Sequence, residues 1–245
     1  MNIDPLTRQA LNLQTRSLEV VQQPGDNFLT YYDPNSQEVI LYEPGSEPEA
    51  FGRWVHVHAF AHQMTADAYG LDPLEFSALD GDTQAALSAL IEGDATYLQY
   101  LYTQGEYLSE TDKVAISDSL AAAAAGTPDD PEDDLIFIYR DGLQFIQALY
   151  EEGGFPAVDQ AWANLPQSSE QILHPDRYLA GDAPLVVNLP LLSSELEGSW
   201  QLVGEDVLGE HLLRQHLLAG GLGAQQVDQA ATGWGGGRYA HYRSD

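Results

Sequence analysis

The chain contains no cysteine. That absence rules out disulfides and thiolate ligands, so any transition-metal site has to be assembled from His, Asp and Glu. Basic residues are also scarce: 9 Lys and Arg stand against 38 Asp and Glu, a formal net charge of −29, and Lys113 is the single lysine. Such a surface repels nucleic acid and anionic lipid, so neither is expected as a partner. The acidity reads as solvation, suited to solubility or to a saline or exported setting. No apolar run reaches the length of a membrane span, and Met1-Asn2-Ile3-Asp4 does not open a signal peptide. The expectation is a protein not inserted in a membrane, cytoplasmic unless its N-terminus was trimmed from an exported precursor. With 245 residues it buries a core without covalent staples.

What is present is organised by helical periodicity. Residues 1–24 carry Leu6, Leu11, Leu13, Leu18, Val20 and Val21 up to the turn signal Gln22-Gln23-Pro24-Gly25, which reads as a short helix and a strand. Phe28 to Tyr32 and Glu38 to Tyr42, rich in aromatic and β-branched residues and separated by Asp33-Pro34-Asn35-Ser36, read as a hairpin. Ser46-Glu47-Pro48-Glu49 fits a capping box and opens a helix expected from about Glu47 to Tyr69, stopped by Gly70. Asp82 is the expected cap of a second long helix, about Thr83 to Thr103, with Leu87, Leu90, Ile91, Ala95, Leu98 and Leu101 as its apolar stripe. Gly93 inside that helix costs about 1 kcal/mol relative to alanine, which implies close approach of another helix at that level.

Beyond residue 104 a looser helix with an alanine run leads to the acidic segment 127–134. It reads as solvated surface, because it lacks the regular ligand spacing of an EF-hand. Core helices are expected over Leu135 to Glu152 and Ala157 to Asn164, then a short helix from Ser168 that Pro175 ends, and an amphipathic helix over Glu205 to Leu218. The tail Gly233-Trp234-Gly235-Gly236-Gly237-Arg238-Tyr239 lacks the strand-to-helix context of a phosphate loop. These elements sum to an α+β fold, mostly helical, with a small N-terminal sheet or hairpin on the first long helix. One domain over 1–245 is expected, with 1–105 supplying the sheet and the two long helices and 106–245 a helical subdomain that completes a cleft.

His58 and His62 stand four residues apart on that first helix, the spacing at which two imidazoles grip one metal ion. Phe51, Val55, His58 and His62 share one stripe, so core packing competes with ligation as the reason for the pair, and the spacing alone is a weak signal. Glu92 lies beside the apolar stripe of the second helix, where a carboxylate needs a partner. If the two helices pack antiparallel, His58, His62 and Glu92 form a two-His-one-Glu zinc set with a fourth position open to water and substrate. His174 ends a short helix near Asp176, Arg177 and Tyr178. His56, His211, His216 and His241 read as structural or surface residues.

Several of these strings together resemble a group of bacterial gluzincin-type zinc metallopeptidases: Tyr32-Asp33-Pro34, His58-x-x-x-His62, Leu90-Ile91-Glu92-Gly93-Asp94-Ala95-Thr96, Ser168-Ser169-Glu170-Gln171-Ile172-Leu173-His174-Pro175, and Gly233 to Tyr239. The resemblance spans about residues 28 to 243, and in that group the motif is H-E-x-x-H followed by E-G-D-A. It implies a zincin-like fold, zinc on His58, His62 and Glu92, a peptide or protein substrate, and a hairpin strand lying along the cleft. It also makes His174 the leading candidate to stabilise the transition state, with Arg177, Tyr178, Arg238 and Tyr239 as further candidates for substrate contact. Asp94 falls roughly 200° around the helix from Glu92 and takes a supporting role behind the ligands or a structural one.

Two departures qualify the expectation. Ala59 occupies the place of the glutamate that activates water, so this polypeptide is expected to hold zinc and hydrolyse little or nothing. Members of the group are also expected to continue into further strands after the position of Tyr239. An inactivating substitution in a competent peptidase, a natural pseudopeptidase that binds peptides or a partner, and a metal-free domain with core histidines all remain open at this level.

Overall fold

A computed structural model of the chain describes residues 29–33, 38–42, 50–70, 76, 78–124, 136–190 and 200–244. Its spine is the helix α2 (Gly81–Gln104), which packs on one side against α1 (Ala50–Tyr69) and on the other against α4 (Gly142–Gly153). The expected stripe faces inward: Leu87, Leu90 and Ala95 are buried together with Ala86 and Ala89. Asp80, not Asp82, caps this helix, because it holds the extended backbone (φ −68°, ψ 162°) that puts its carboxylate 3.0 Å from the Thr83 amide. Asp82 is already inside the first turn, and its buried carboxylate accepts from both the amide and the hydroxyl of Ser169.

The N-terminal hairpin forms as expected, β1 (Leu29–Asp33) antiparallel to β2 (Glu38–Tyr42), with Tyr31 opposite Ile40. Both strands pack against α1. Helix α1 ends where the sequence places its stop: Gly70 adopts φ 64° and its amide closes on the Ala66 carbonyl at 2.8 Å. The capping box at Ser46, the segment 1–24 and the acidic segment 127–134 lie outside the described residues.

The close approach expected at Gly93 is to Gly142, on α4. A Cβ on Gly93 would overlap the Gly142 carbonyl, and one on Gly142 would overlap the Ala89 carbonyl, so the two helices touch backbone to backbone. The helix read over 104–134 is described as α3 (Glu110–Ala124), opened by reciprocal hydrogen bonds between Ser109 and Asp112. The continuous helix read from Leu135 begins with a wide π turn, Ile136–Asp141, before α4 takes over at Gly142. The extra residue in that turn lets Phe137 and Ile138 both enter the core.

Helix α5 (Phe155–Ala163) starts two residues earlier than expected, with Pro156 in the first turn, where its missing N–H costs nothing. Ser168 caps α6 (Ser169–Leu173) as read, but Pro175 does more than end it: the same residue opens another turn, α7 (Pro175–Leu179). The core fills the space between α2, the π turn, α4, α5 and α6, with Phe137, Phe145, Ile146, Leu149, Trp162 and Ile172 among its members. Fully burying each such side chain contributes roughly 1.5–3 kcal/mol.

The C-terminal part departs most from expectation. Residues 205–207, read as the start of a helix, belong to β3 (Trp200–Val207), which pairs antiparallel with β4 (Arg238–Ser244), so a region expected to be helical carries a second two-stranded sheet. Between the strands lie α8 (Glu210–Ala219) and α9 (Ala224–Ala231). The molecule described is thus mostly helical with two small antiparallel sheets, an α+β protein. No described helix is long and apolar enough to cross a membrane.

Candidate metal centre

Packing of α1 on α2 brings the three expected ligands to one point. His58 Nε2 lies 3.0 Å from Glu92 Oε2, His62 Nε2 lies 3.3 Å from the same oxygen, and the two Nε2 atoms are 3.0 Å apart. The rings meet nearly at right angles, 85°, so their nitrogens converge instead of lying parallel. All three side chains are largely shielded, and among the described residues they form a group whose ligand atoms fall within 4.8 Å of one another. Ligand–metal bonds of about 2.0–2.1 Å in a tetrahedron place neighbouring ligand atoms about 3.3 Å apart, so the spacing suits a zinc-sized ion.

The electrostatics follow from burial. Removal from water would push the Glu92 carboxyl up, but the charge attraction of His62 and hydrogen bonds from both imidazoles outweigh it and hold the group well below the usual carboxylate range. Asp94, on the same helix, goes the other way: burial raises it, and hydrogen bonds from Trp162 Nε1 (3.1 Å) and Thr65 Oγ1 (3.4 Å) offset only part of that. Thr65 sits one turn beyond His62 on α1. Asp94 therefore ties the end of the histidine helix to α5, and Tyr69 adds a second tie by stacking on Trp162 and donating to Asp159 at 2.8 Å.

Ala59 follows His58 directly and is 3 % exposed. Its methyl group neither accepts a proton nor hydrogen-bonds a water.

Sequence reasoning missed three residues around the centre. Gln99, two turns after Glu92 on the same face of α2, accepts from or faces His58 Nδ1 at 3.1 Å through its Oε1. Tyr139, in the π turn, places its ring 6.1 Å from that of His58. Trp162 arrives through Asp94. The spacing of Glu92 and Gln99 was a usable signal; nothing in the linear pattern marks the other two.

The remaining candidates gather elsewhere. His174 Nε2 meets the fully buried Glu210 at 3.0 Å, and Arg214 donates to the same carboxylate at 2.8 Å. Arg177 pairs with Glu170 at 3.3 Å and Asp182 at 2.9 Å. Tyr178 donates to the Asn164 carbonyl at 2.7 Å and packs edge-on against Phe145. Arg238 pairs with Glu205 at 3.0 Å, and Tyr239 stands on β4 opposite Asp206. The fold does join the two strings that carry these residues: Gly233 lies against Arg177, where a Cβ would come 3.2 Å from Nη2, and Gly235 lies beside Glu170. His174 is not in the group that converges with Glu92.

No family model, curated protein or solved structure matches this chain.

Proposed function

We propose that this protein is a zinc metallopeptidase scaffold of the gluzincin kind, in which His58, His62 and Glu92 hold zinc and the general base is missing at Ala59. The observation that carries the reading is the convergence of the three ligand atoms, from two helices, at 3.0–3.3 Å. The resemblance of the E-G-D-A and S-x-E-Q-I-L-H-P strings to that peptidase group supports it. Zinc, when bound, polarises a scissile carbonyl and acidifies its bound water. The protein's own part is to hold the ligands on two packed helices, shield them, and supply a base beside His58. That last part is what Ala59 cannot do, and losing a general base costs on the order of 10²–10⁴ in rate.

A second reading, a natural pseudopeptidase that binds zinc and peptides or a protein partner without cleavage, draws on the burial of Ala59, whose side chain is closed in at 3 % exposure. One experiment separates the two. Ala59→Glu, loaded with zinc, is assayed against a broad peptide library. Cleavage absent in the parent and present in the variant supports the peptidase. A folded, zinc-loaded variant that cleaves nothing favours the binding protein.

A further inference from the structure

Four aromatic rings from α2, α4 and α5 meet in series. Tyr100 stacks on Tyr97 at 6.0 Å between centroids, Tyr97 meets Tyr150 at 5.3 Å, and Tyr150 meets Phe155 edge-on at 5.1 Å. Tyr97 is the buried anchor of the row, 4 % exposed, whereas Tyr100, Tyr150 and Phe155 stand 43 %, 36 % and 44 % exposed. Large apolar side chains scattered singly over a surface need no explanation, but rings joined in a row and left in water mark a surface that binds something. One turn beyond Phe155 on α5, Asp159 accepts from Tyr69 at 2.8 Å, and Tyr69 stacks on Trp162. Rings and carboxylates thus run on toward the end of α1.

The charge along this row has one sign. None of the three helices that build it carries Lys or Arg. Glu151 and Glu152 follow Tyr150 directly and are exposed, as is Asp159. Burial, then Tyr150, Tyr100 and Glu151, push the Tyr97 phenol up, which puts the Glu151 charge within reach of the rings.

We infer that the row Tyr100–Tyr150–Phe155, with Glu151 and Asp159, is a docking surface for a peptide segment that carries arginine. A neutral apolar partner would take these carboxylates out of water and leave them unpaired. An anionic partner would be repelled by them, as by the rest of a chain of net charge −29. A cation satisfies both halves of the surface, since aromatic rings attract it through their quadrupole and the carboxylates through charge. Arginine fits better than lysine: its guanidinium is planar and weakly hydrated, so it stacks on a ring while its edge donates to a carboxylate. The surface draws on none of His58, His62 and Glu92, and the proposal stands independently of the metal reading.

The test uses the full chain and a fluorescein-labelled peptide with four arginines in a Gly–Ser background. Its partners are a lysine peptide of the same spacing and a citrulline peptide, which keeps the shape of arginine and loses the charge. Binding is followed by fluorescence anisotropy at 0.15 M salt, where attraction between exposed charges more than about 8 Å apart is largely screened. The protein variants are Tyr100→Ala with Phe155→Ala, which removes two rings and no charge, and Glu151→Gln with Asp159→Asn, which keeps the rings. Tyr107→Ala, at an aromatic residue 78 % exposed and outside the row, is the control. Circular dichroism and thermal melts establish that each is folded. The expected order of affinity is arginine, then lysine, then citrulline. Each double variant is expected to weaken arginine-peptide binding by about tenfold, and Tyr107→Ala to leave it unchanged. No binding of the arginine peptide overturns the inference. So does equal binding of the citrulline peptide, which would mark a surface for neutral ligands. Two folded double variants that bind as tightly as their parent would also overturn it, showing only diffuse attraction to an acidic protein.

Discussion

Gly93 on α2 and Gly142 on α4 meet backbone to backbone, one residue from the candidate ligand Glu92, with no room for a Cβ on either side. The contact fixes how closely the two core helices approach.

Gly93→Ala tests that relationship. Alanine gains about 1 kcal/mol of helix propensity, but its methyl group overlaps the Gly142 carbonyl and forces the helices apart, at a typical cost of about 1–3 kcal/mol or more. Net destabilisation in urea unfolding is expected, together with weaker zinc binding as Glu92 is displaced. Unchanged or increased stability would show that the helices separate at no cost.

Asp82 supplies a pH dependence. Burial, countered in part by hydrogen bonds from Ser169, raises its carboxyl from 3.8 to about 6. A folded-state value above the unfolded one means the native protein holds the proton more tightly. The stability this contributes is full below about pH 4 and is lost as pH rises toward 6, by about 3 kcal/mol over two pH units. Asp80 and His211 also act on Asp82, so the comparison is with Asp82→Asn, which leaves them in place. The difference between the two unfolding free energies is expected to change between pH 4 and 7 in favour of the variant; parallel profiles would contradict the assignment.

Glu210 is fully buried and held by Arg214 at 2.8 Å and His174 at 3.0 Å. Arg214→Met removes one cation and leaves the carboxylate under-compensated, at about 3–5 kcal/mol by analogy with broken buried pairs. Glu210→Gln together with Arg214→Met, which removes both charges, is expected to recover most of the loss in chemical denaturation.

The parts of this architecture that were legible in the sequence share a simple physical origin. His58 and His62 declare themselves because four residues make one helical turn, and Glu92 because a carboxylate beside an apolar stripe needs a partner. The β1–β2 hairpin shows in two short aromatic and β-branched runs around Asp33-Pro34-Asn35-Ser36. Gly93 was readable as a contact, though not its partner, since Gly142 is 49 positions away and no local rule links them. The π turn was hidden because one extra residue shifts the phase of Leu135 to Glu152 without breaking its apolar periodicity. Strand β3 was hidden because its middle residues are exposed on both faces, leaving no alternation to detect. Asp82 was mistaken for a cap because Asp80 and Asp82 are chemically alike and only the backbone angle tells them apart.

Zinc should also stabilise the fold. The proposed ligands come from two helices, so a bound ion would favour their native packing, and free zinc at 100 times its dissociation constant would add about 2.7 kcal/mol. The melting temperature is expected to rise with zinc and fall on chelation, and to do neither in Glu92→Ala.

The most direct test of the central claim is elemental analysis of the purified protein after zinc loading and buffer exchange, run beside His62→Ala. One zinc per chain in the wild type, and substantially less in the variant, is the expected result. A wild-type protein that retains no stoichiometric zinc, or a His62→Ala protein that retains as much as its parent, would contradict a metal centre built on His58, His62 and Glu92.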